Sequence, residues 1–165
     1  MLVTTFPRWC VRLLTMAFFV PALAWAHDYK LGQLRMDHPY ALIKTEPSIR
    51  VEVYFRSLRN EGDQLDRLVA MRTPVATKAV VMTETHSVDH DITWVPVQSL
   101  EIPAKGQVAM RHGKPEGYQI LLTELTRPLK VGDRFPLYLL FDKSGEKEVM
   151  VWVQAPRNVQ PSHKH

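Results

Sequence analysis

The sequence is nearly free of cysteine, because Cys10 is the only one among 165 residues. Cys10 precedes an apolar run instead of following it, so it is not placed as the cysteine of a lipid anchor. Without another cysteine, the rest of the chain can form no disulfide and offers no thiolate to a metal ion. Packing alone must stabilise its fold, and any metal site must use histidine, methionine, carboxylate or an N-terminal amine.

Sequence motifs of several functional classes are missing as well. The chain has no G-x-S-x-G, no Gly-rich phosphate loop and no Ser/His/acid spacing typical of a hydrolase. Its lysines and arginines form no block of the kind that binds nucleic acid. We therefore expect a protein that is not an enzyme and that has no nucleic-acid partner.

Residues 1–26 have the features of a secretory signal peptide. Two arginines precede an apolar run at 13–23 that is too short to span a bilayer, and the triplet Ala24-Trp25-Ala26 fits signal-peptidase cleavage. Cleavage would leave 139 of the 165 residues, enough for one domain, and would lower the net charge from +4 to +2 because two arginines are lost. No second apolar stretch could span a membrane, so we expect a periplasmic monomer.

Alternation of apolar and polar residues dominates the remaining chain. Residues 49–55, for example, place every second side chain on an apolar face, the pattern of a half-buried strand. The predicted strands are Gln33–Asp37, Ile49–Phe55, Arg67–Met71, Lys78–Thr85, Ile92–Val97, Gln107–Arg111, Tyr118–Leu125, Phe135–Phe141 and Glu148–Gln154. Such short, evenly spaced strands predict an all-β antiparallel sandwich or barrel, a single domain over 27–154, followed by a flexible polar tail at 155–165.

Several phrases carry a resemblance to a known family. They are "AHDYKLGQLRMDHPYA" at 26–41, "VPVQSLEIPAKGQVAM" at 95–110 and "GYQILLTELTRPLKVGDRFPLYLLF" at 117–141. Together they resemble the periplasmic copper chaperones of the PCu(A)C type. The resemblance implies a cupredoxin-like β-barrel that binds Cu(I) and passes it to a copper-dependent oxidase or to another periplasmic copper carrier.

The copper ligands of that family do not carry over onto this sequence. When the family's His/Met motif is laid along the chain, its four positions fall on Thr83, Trp94, Gln119 and Leu121. Thr and Gln bind Cu(I) poorly, and Trp and Leu offer no lone pair. We therefore expect the family's fold without the family's site.

A histidine-rich hairpin could replace that site. If Thr83 and Trp94 face each other, His86 lies opposite Asp91 and Ser87 opposite His90. Both histidines then sit at one hairpin tip, close to Glu84, Asp89 and Asp91. Imidazoles with carboxylates suit Cu(II) or Zn(II) better than Cu(I). The alternative is a solvated polar hairpin end without metal.

His27 offers a second possibility, because cleavage after Ala26 would make it the first residue. Its amine and imidazole could chelate copper as a histidine brace, completed by His38 or by a hairpin histidine. Alternatively, His27 belongs to a frayed terminus and His38 is a structural residue before Pro39. His163 and His165 form a loose pair in the tail, where an unstructured segment explains them equally well.

Three functions remain open from the sequence. The first is a copper chaperone-like protein with a diverged site, in which His27, His38, His86 and His90 are the candidate ligands and Cu(II) is favoured over Cu(I). Metal-binding imidazoles must be neutral, so its affinity should fall as the pH drops through about 6.5, the ordinary histidine pKa. The second is a metal-free interaction module for an assembly or transport partner, and the third is a copper enzyme of histidine-brace type.

Overall fold

The computed structural model describes residues 28–44, 48–86 and 91–156, and every regular element among them is a β-strand. The strands are β1 (Asp28–Leu31), β2 (Leu34–Leu42), β3 (Arg50–Asn60), β4 (Asp66–Arg72), β5 (Ala76–His86), β6 (Ile92–Val97), β7 (Leu100–Ile102), β8 (Gln107–Val108), β9 (Tyr118–Leu125), β10 (Arg134–Phe141) and β11 (Gly145–Gln154). All nine predicted strands are present. The short strands β1 and β7 were not predicted, because three or four residues carry too little alternation.

The eleven strands form one sheet in the order β6-β5-β9-β3-β2-β11-β10-β4-β7, with β1 paired to β2 and β8 to β3. The hydrogen-bonded path does not close into a ring. The two halves of the sheet nevertheless enclose one apolar core, to which β3, β5 and β9 contribute from one half and β4, β10 and β11 from the other. The all-β prediction is therefore confirmed. One departure from antiparallel pairing occurs where β11 runs parallel to β2, with Trp152 opposite Tyr40.

The alternation in β3 explains how one strand serves both core and candidate site. Val51, Val53 and Phe55 are buried in the core cluster. Glu52 and Tyr54 point to the opposite face, yet they are also almost completely buried. Polar side chains on that second face must therefore find partners within the protein.

A buried carboxylate fixes the turn between β10 and β11. Asp66, at the start of β4, accepts hydrogen bonds from the backbone N–H groups of Arg67 (2.8 Å), Lys143 (3.0 Å) and Ser144 (3.2 Å). It also accepts one from the Ser144 hydroxyl at 2.6 Å. Burial opposes ionisation of Asp66, but these donors outweigh it and lower its pKa from the ordinary value.

The predicted signal peptide, His27, His90, His163 and His165 lie outside the described residues. The expectations for them, and for the tail beyond residue 156, stay predictions. Within the described ranges the structure has no helix that could cross a membrane.

Candidate functional site

The hairpin of β5 and β6 has a different register from the one predicted. Glu84, not Thr83, lies opposite Trp94, and His86 lies opposite Ile92 instead of Asp91. The prediction was therefore wrong by one residue. A shift of one residue moves each side chain of a strand to the other face of the sheet, so the correction changes which residues can share a site.

Three of the four family ligand positions share the outer face of the sheet. Trp94 lies opposite Glu84, Gln119 opposite Met82 and Leu121 opposite Val80. Directly opposed residues share a face, and so do alternate residues of β5.

Thr83 lies on the other face. It is opposite Tyr118, which packs against the core. The residues of β5 that accompany Trp94 and Gln119 are thus Glu84 and Met82, which offer a carboxylate and a thioether.

Gln119 is bound into a buried polar network. Its Oε1 lies 2.5 Å from the Tyr54 hydroxyl, which is also 3.1 Å from Oε2 of Glu52. Glu52 in turn pairs with Lys44 at 3.1 Å and Arg50 at 3.2 Å. Gln119, Tyr54 and Glu52 each expose 6% of their surface or less. The Oε1 atom of Gln119 therefore helps to hold β9 against β3.

The charges in this network shift two pKa values in opposite directions. Burial opposes ionisation of Glu52, but hydrogen bonds from Lys44 and Arg50 outweigh it and lower the Glu52 pKa. Burial, together with the adjacent Glu52 carboxylate, raises the pKa of Tyr54. Tyr54 thus remains a neutral hydrogen-bond donor beside an ionised carboxylate.

His86 and Glu84 form a pair at the end of β5. Nε2 of His86 lies 3.4 Å from Oε1 of Glu84. The Glu84 side chain is 9% exposed, whereas the His86 side chain is 45% exposed. One imidazole nitrogen and one carboxylate oxygen therefore lie close together at the solvent-exposed end of β5. Such N and O donors suit a borderline or hard divalent ion.

His38 lies in a different part of the molecule. It belongs to β2, which is separated from β5 by β3 and β9. Three strand spacings correspond to about 14 Å, so His38 and His86 cannot hold one ion in this fold. Asp28, the residue after His27, is opposite Asp37. The start of β1 is therefore next to His38 and away from the β5–β6 hairpin.

The structure also brings together residues that are far apart in the sequence and that no motif connects. His38 and His112 line one cleft of about 480 Å³, together with Tyr40, Arg56, Arg111 and Trp152. His112 belongs to the loop between β8 and β9. Its backbone N–H donates to the Tyr40 hydroxyl at 3.1 Å, and its ring contacts Tyr54 edge-on at 5.2 Å. No local sequence signal predicts this convergence, because it joins β2, β3, β11 and a loop.

Among residues 28–44, 48–86 and 91–156, no three His, Asp or Glu side chains come close enough to hold a metal ion together. Met82 and His86 are four residues apart on β5, about 13 Å in an extended strand. Histidine and methionine therefore do not converge on this face within the described part of the chain.

A match to a family model shows to which protein family the chain belongs. The model described as "Putative lipoprotein LpqE-like" matches residues 34–153. The chain belongs to the LpqE-like family. The lipoprotein description of this family agrees with the expectation of an exported protein. Among curated proteins, none is significantly similar to the chain.

Solved structures of PCuAC domains share the fold of this LpqE-like protein. The apo PCuAC domain from PmoF1 is 24% identical with a TM-score of 0.65, and the match covers 79% of this chain and 100% of that one. The copper-bound PCuAC domain from PmoF2 is 22% identical with a TM-score of 0.63, covering 79% and 99%. These similarities confirm the cupredoxin-like, PCu(A)C-type fold that the sequence resembles.

A third similar structure is the solution structure of CuI-DR1885 from Deinococcus radiodurans. It is 27% identical with a TM-score of 0.56, and the match covers 83% of this chain and 85% of that one. That protein is described with copper in the cuprous state. The relatives of the LpqE-like protein thus include copper-binding domains, and one of them binds Cu(I).

Proposed function

We propose that this LpqE-like protein is a periplasmic copper-binding protein of the chaperone type. In this proposal copper is held at the end of the β5–β6 hairpin by His86 and Glu84, with His90 as a further ligand. The His86–Glu84 pair is the observation that carries the proposal, since it places two metal donors beside the face of the family's ligand positions. The copper-bound relatives support copper as the metal.

The donor types favour Cu(II) over Cu(I) at this hairpin. Imidazole and carboxylate are the ligands of Cu(II), whereas Cu(I) is selected by thioether or thiolate sulfur. Gln119 is engaged by Tyr54, and Met82 lies about 13 Å along the strand from His86. We therefore propose that the Cu(I) site seen in a relative has diverged in this protein.

The exposure of His86 suits transfer of the bound ion. Its imidazole is accessible to an incoming ligand of an acceptor protein, while the nearly buried Glu84 carboxylate is the ligand that an acceptor reaches less easily. Ligand exchange then moves copper without covalent chemistry on the chain. The acceptor would be a copper-dependent oxidase or another periplasmic carrier, as the resemblance implies.

The brace of His27 remains a separate prediction. The fold places the start of β1 next to His38, so His38 is the partner that the topology favours. However, Arg56 and Arg111 line the same cleft as His38, and their positive charges oppose the binding of a copper ion there. For this reason we place the copper at the hairpin.

A competition titration with a chromophoric Cu(II) chelator tests the proposal on the processed protein. We expect His86→Ala to weaken Cu(II) binding at least tenfold, and Glu84→Gln to weaken it less. His38→Ala is the matched control, since it removes an equal imidazole from another part of the sheet. An added residue before His27 should also leave the affinity within twofold.

Two results would contradict the hairpin site. If changes at His27 or His38 weaken Cu(II) binding while His86→Ala does not, copper is bound by the histidine brace and not at the hairpin. Absence of copper from the purified protein, with no measurable uptake of Cu(II) or Cu(I), would leave a metal-free interaction module.

A further inference from the structure

A cleft lined by residues of β2, β3 and β11, and by none of β5 or β6, concentrates positive charge. It holds about 480 Å³ and is lined by Arg56 from β3, Arg111 from the loop between β8 and β9, and the histidines His38 and His112. A small adjoining depression adds Arg134 next to His38 and Trp152. No Asp or Glu of the described residues lines either of them.

The arginines of the cleft differ from the others in the described chain. Nine arginines lie in the described ranges, and six of them have a carboxylate within 4.0 Å. The three without such a partner in these ranges are Arg56 and Arg111, which line the cleft, and Arg134, which lines the adjoining depression. Guanidinium groups gathered in this way repel each other, so their arrangement does not serve stability.

Two acidic residues adjoin lining residues in sequence, and neither of them lines the cleft. Asp133 follows Gly132 of the cleft wall, but it accepts hydrogen bonds from the Lys130 N–H at 3.1 Å and from Arg127 at 3.0 Å. The hydrogen bond from the Lys130 N–H, and to a smaller extent that from Arg127, lowers the pKa of Asp133. Asp37 adjoins His38 in sequence but does not line the cleft.

Aromatic contacts hold the walls of the cleft in place. Tyr40 stacks on Tyr54 at 5.6 Å, and its hydroxyl accepts the His112 N–H, which ties the loop with Arg111 to β2. On the other side, the Arg134 guanidinium lies 5.6 Å from the Trp152 ring centroid. Trp152 is 42% exposed, so part of its ring is free to contact a ligand.

We propose that this cleft binds a small anion through carboxylate or phosphate oxygens. Arginine presents paired N–H donors that match both oxyanions, and an exposed indole suits the carbon skeleton of such a ligand. The volume is within the range of small-molecule sites. This binding is independent of the proposed copper function, because it uses neither His86 nor Glu84.

Isothermal titration calorimetry of citrate and of pyrophosphate tests the site. The protein is first passed over a chelating resin, so that no metal contributes to the heat. We expect at least one of the two anions to bind, and Arg56→Gln and Arg111→Gln each to weaken that binding at least tenfold. Both side chains are exposed and make no ion pair among the described residues, so neither variant should disturb folding.

Lys78→Gln is the matched control, because it removes the same charge from an exposed position on β5. It should change the affinity less than twofold. An equal loss of anion affinity in Lys78→Gln would show that net charge, not the cleft, controls binding, and would overturn the proposal. Absence of binding by both anions would also overturn it. If phosphatidylglycerol vesicles bind in an Arg56-dependent manner while neither free anion does, the ligand is a membrane surface and the small-anion proposal fails.

Discussion

The Tyr54 hydroxyl lies 2.5 Å from Oε1 of Gln119, directly across the pairing of β3 with β9. Gln119 occupies the position at which the resemblance to the PCu(A)C chaperones implies a copper-binding histidine. In this protein the same position contributes a hydrogen bond to a buried network that also contains Glu52. Gln119, at a position where the family implies a metal ligand, thus stabilises the fold of this chain through a hydrogen bond.

Replacing Gln119 should therefore affect stability and not copper binding. Gln119→Leu leaves Tyr54 without its shorter hydrogen bond, so we expect the free energy of unfolding to fall by about 1–3 kcal/mol. Urea denaturation followed by tryptophan fluorescence measures this. In a double-mutant cycle with Tyr54→Phe, the two losses should not add, because the residues share one interaction. Additive losses, or a weaker copper affinity in Gln119→Leu, would contradict this assignment.

The cuprous ion provides a test of the diverged site. Met82 is the thioether that shares the outer face with Gln119 and Trp94, but it lies far from His86 along β5. We expect Cu(I) affinity, measured by competition with a Cu(I)-specific chelator, to change less than twofold in Met82→Leu. Met150→Leu, at an exposed position on β11, is the control. Tight Cu(I) binding that depends on Met82 would show that a sulfur site has survived.

Asp66 should make the stability of the protein depend on pH. Its pKa is lower in the folded state than in the unfolded chain, where an aspartate has a pKa of about 3.9. The folded protein therefore gains stability above that value and loses it as the pH falls through the depressed folded pKa. We expect Asp66→Asn to lower the free energy of unfolding at pH 7 by about 1–3 kcal/mol, because an amide replaces an acceptor that faces four donors.

Thermal unfolding between pH 2 and pH 7 measures this effect, and Asp63→Asn is its control. Asp63 is three residues away, and its side chain is 88% exposed. Asp63→Asn should leave the pH profile of unfolding unchanged, whereas Asp66→Asn should flatten its acid limb. An unchanged acid limb in Asp66→Asn would mean that other carboxylates cause the acid sensitivity.

Much of the fold could be predicted because strand formation is encoded locally. Alternation at 49–55 places Val51, Val53 and Phe55 on one face whatever the rest of the chain does. The site was harder to predict, since a metal or ligand site depends on which residues of different strands lie opposite each other. The hairpin of β5 and β6 shows this, because an error of one residue exchanged Thr83 for Glu84.

The amino-acid sequence by itself determined the β-strand content, the absence of cysteine after Cys10 and the resemblance to PCu(A)C-type domains. The tertiary structure alone decided the parallel pairing of β2 with β11, the contact between His86 and Glu84, and the placing of Arg56, Arg111 and Arg134 at one cleft and its adjoining depression. The physical reason is the range of the interactions. Alternation and composition act between neighbours in sequence, whereas register and clefts arise from packing between strands that are distant along the chain.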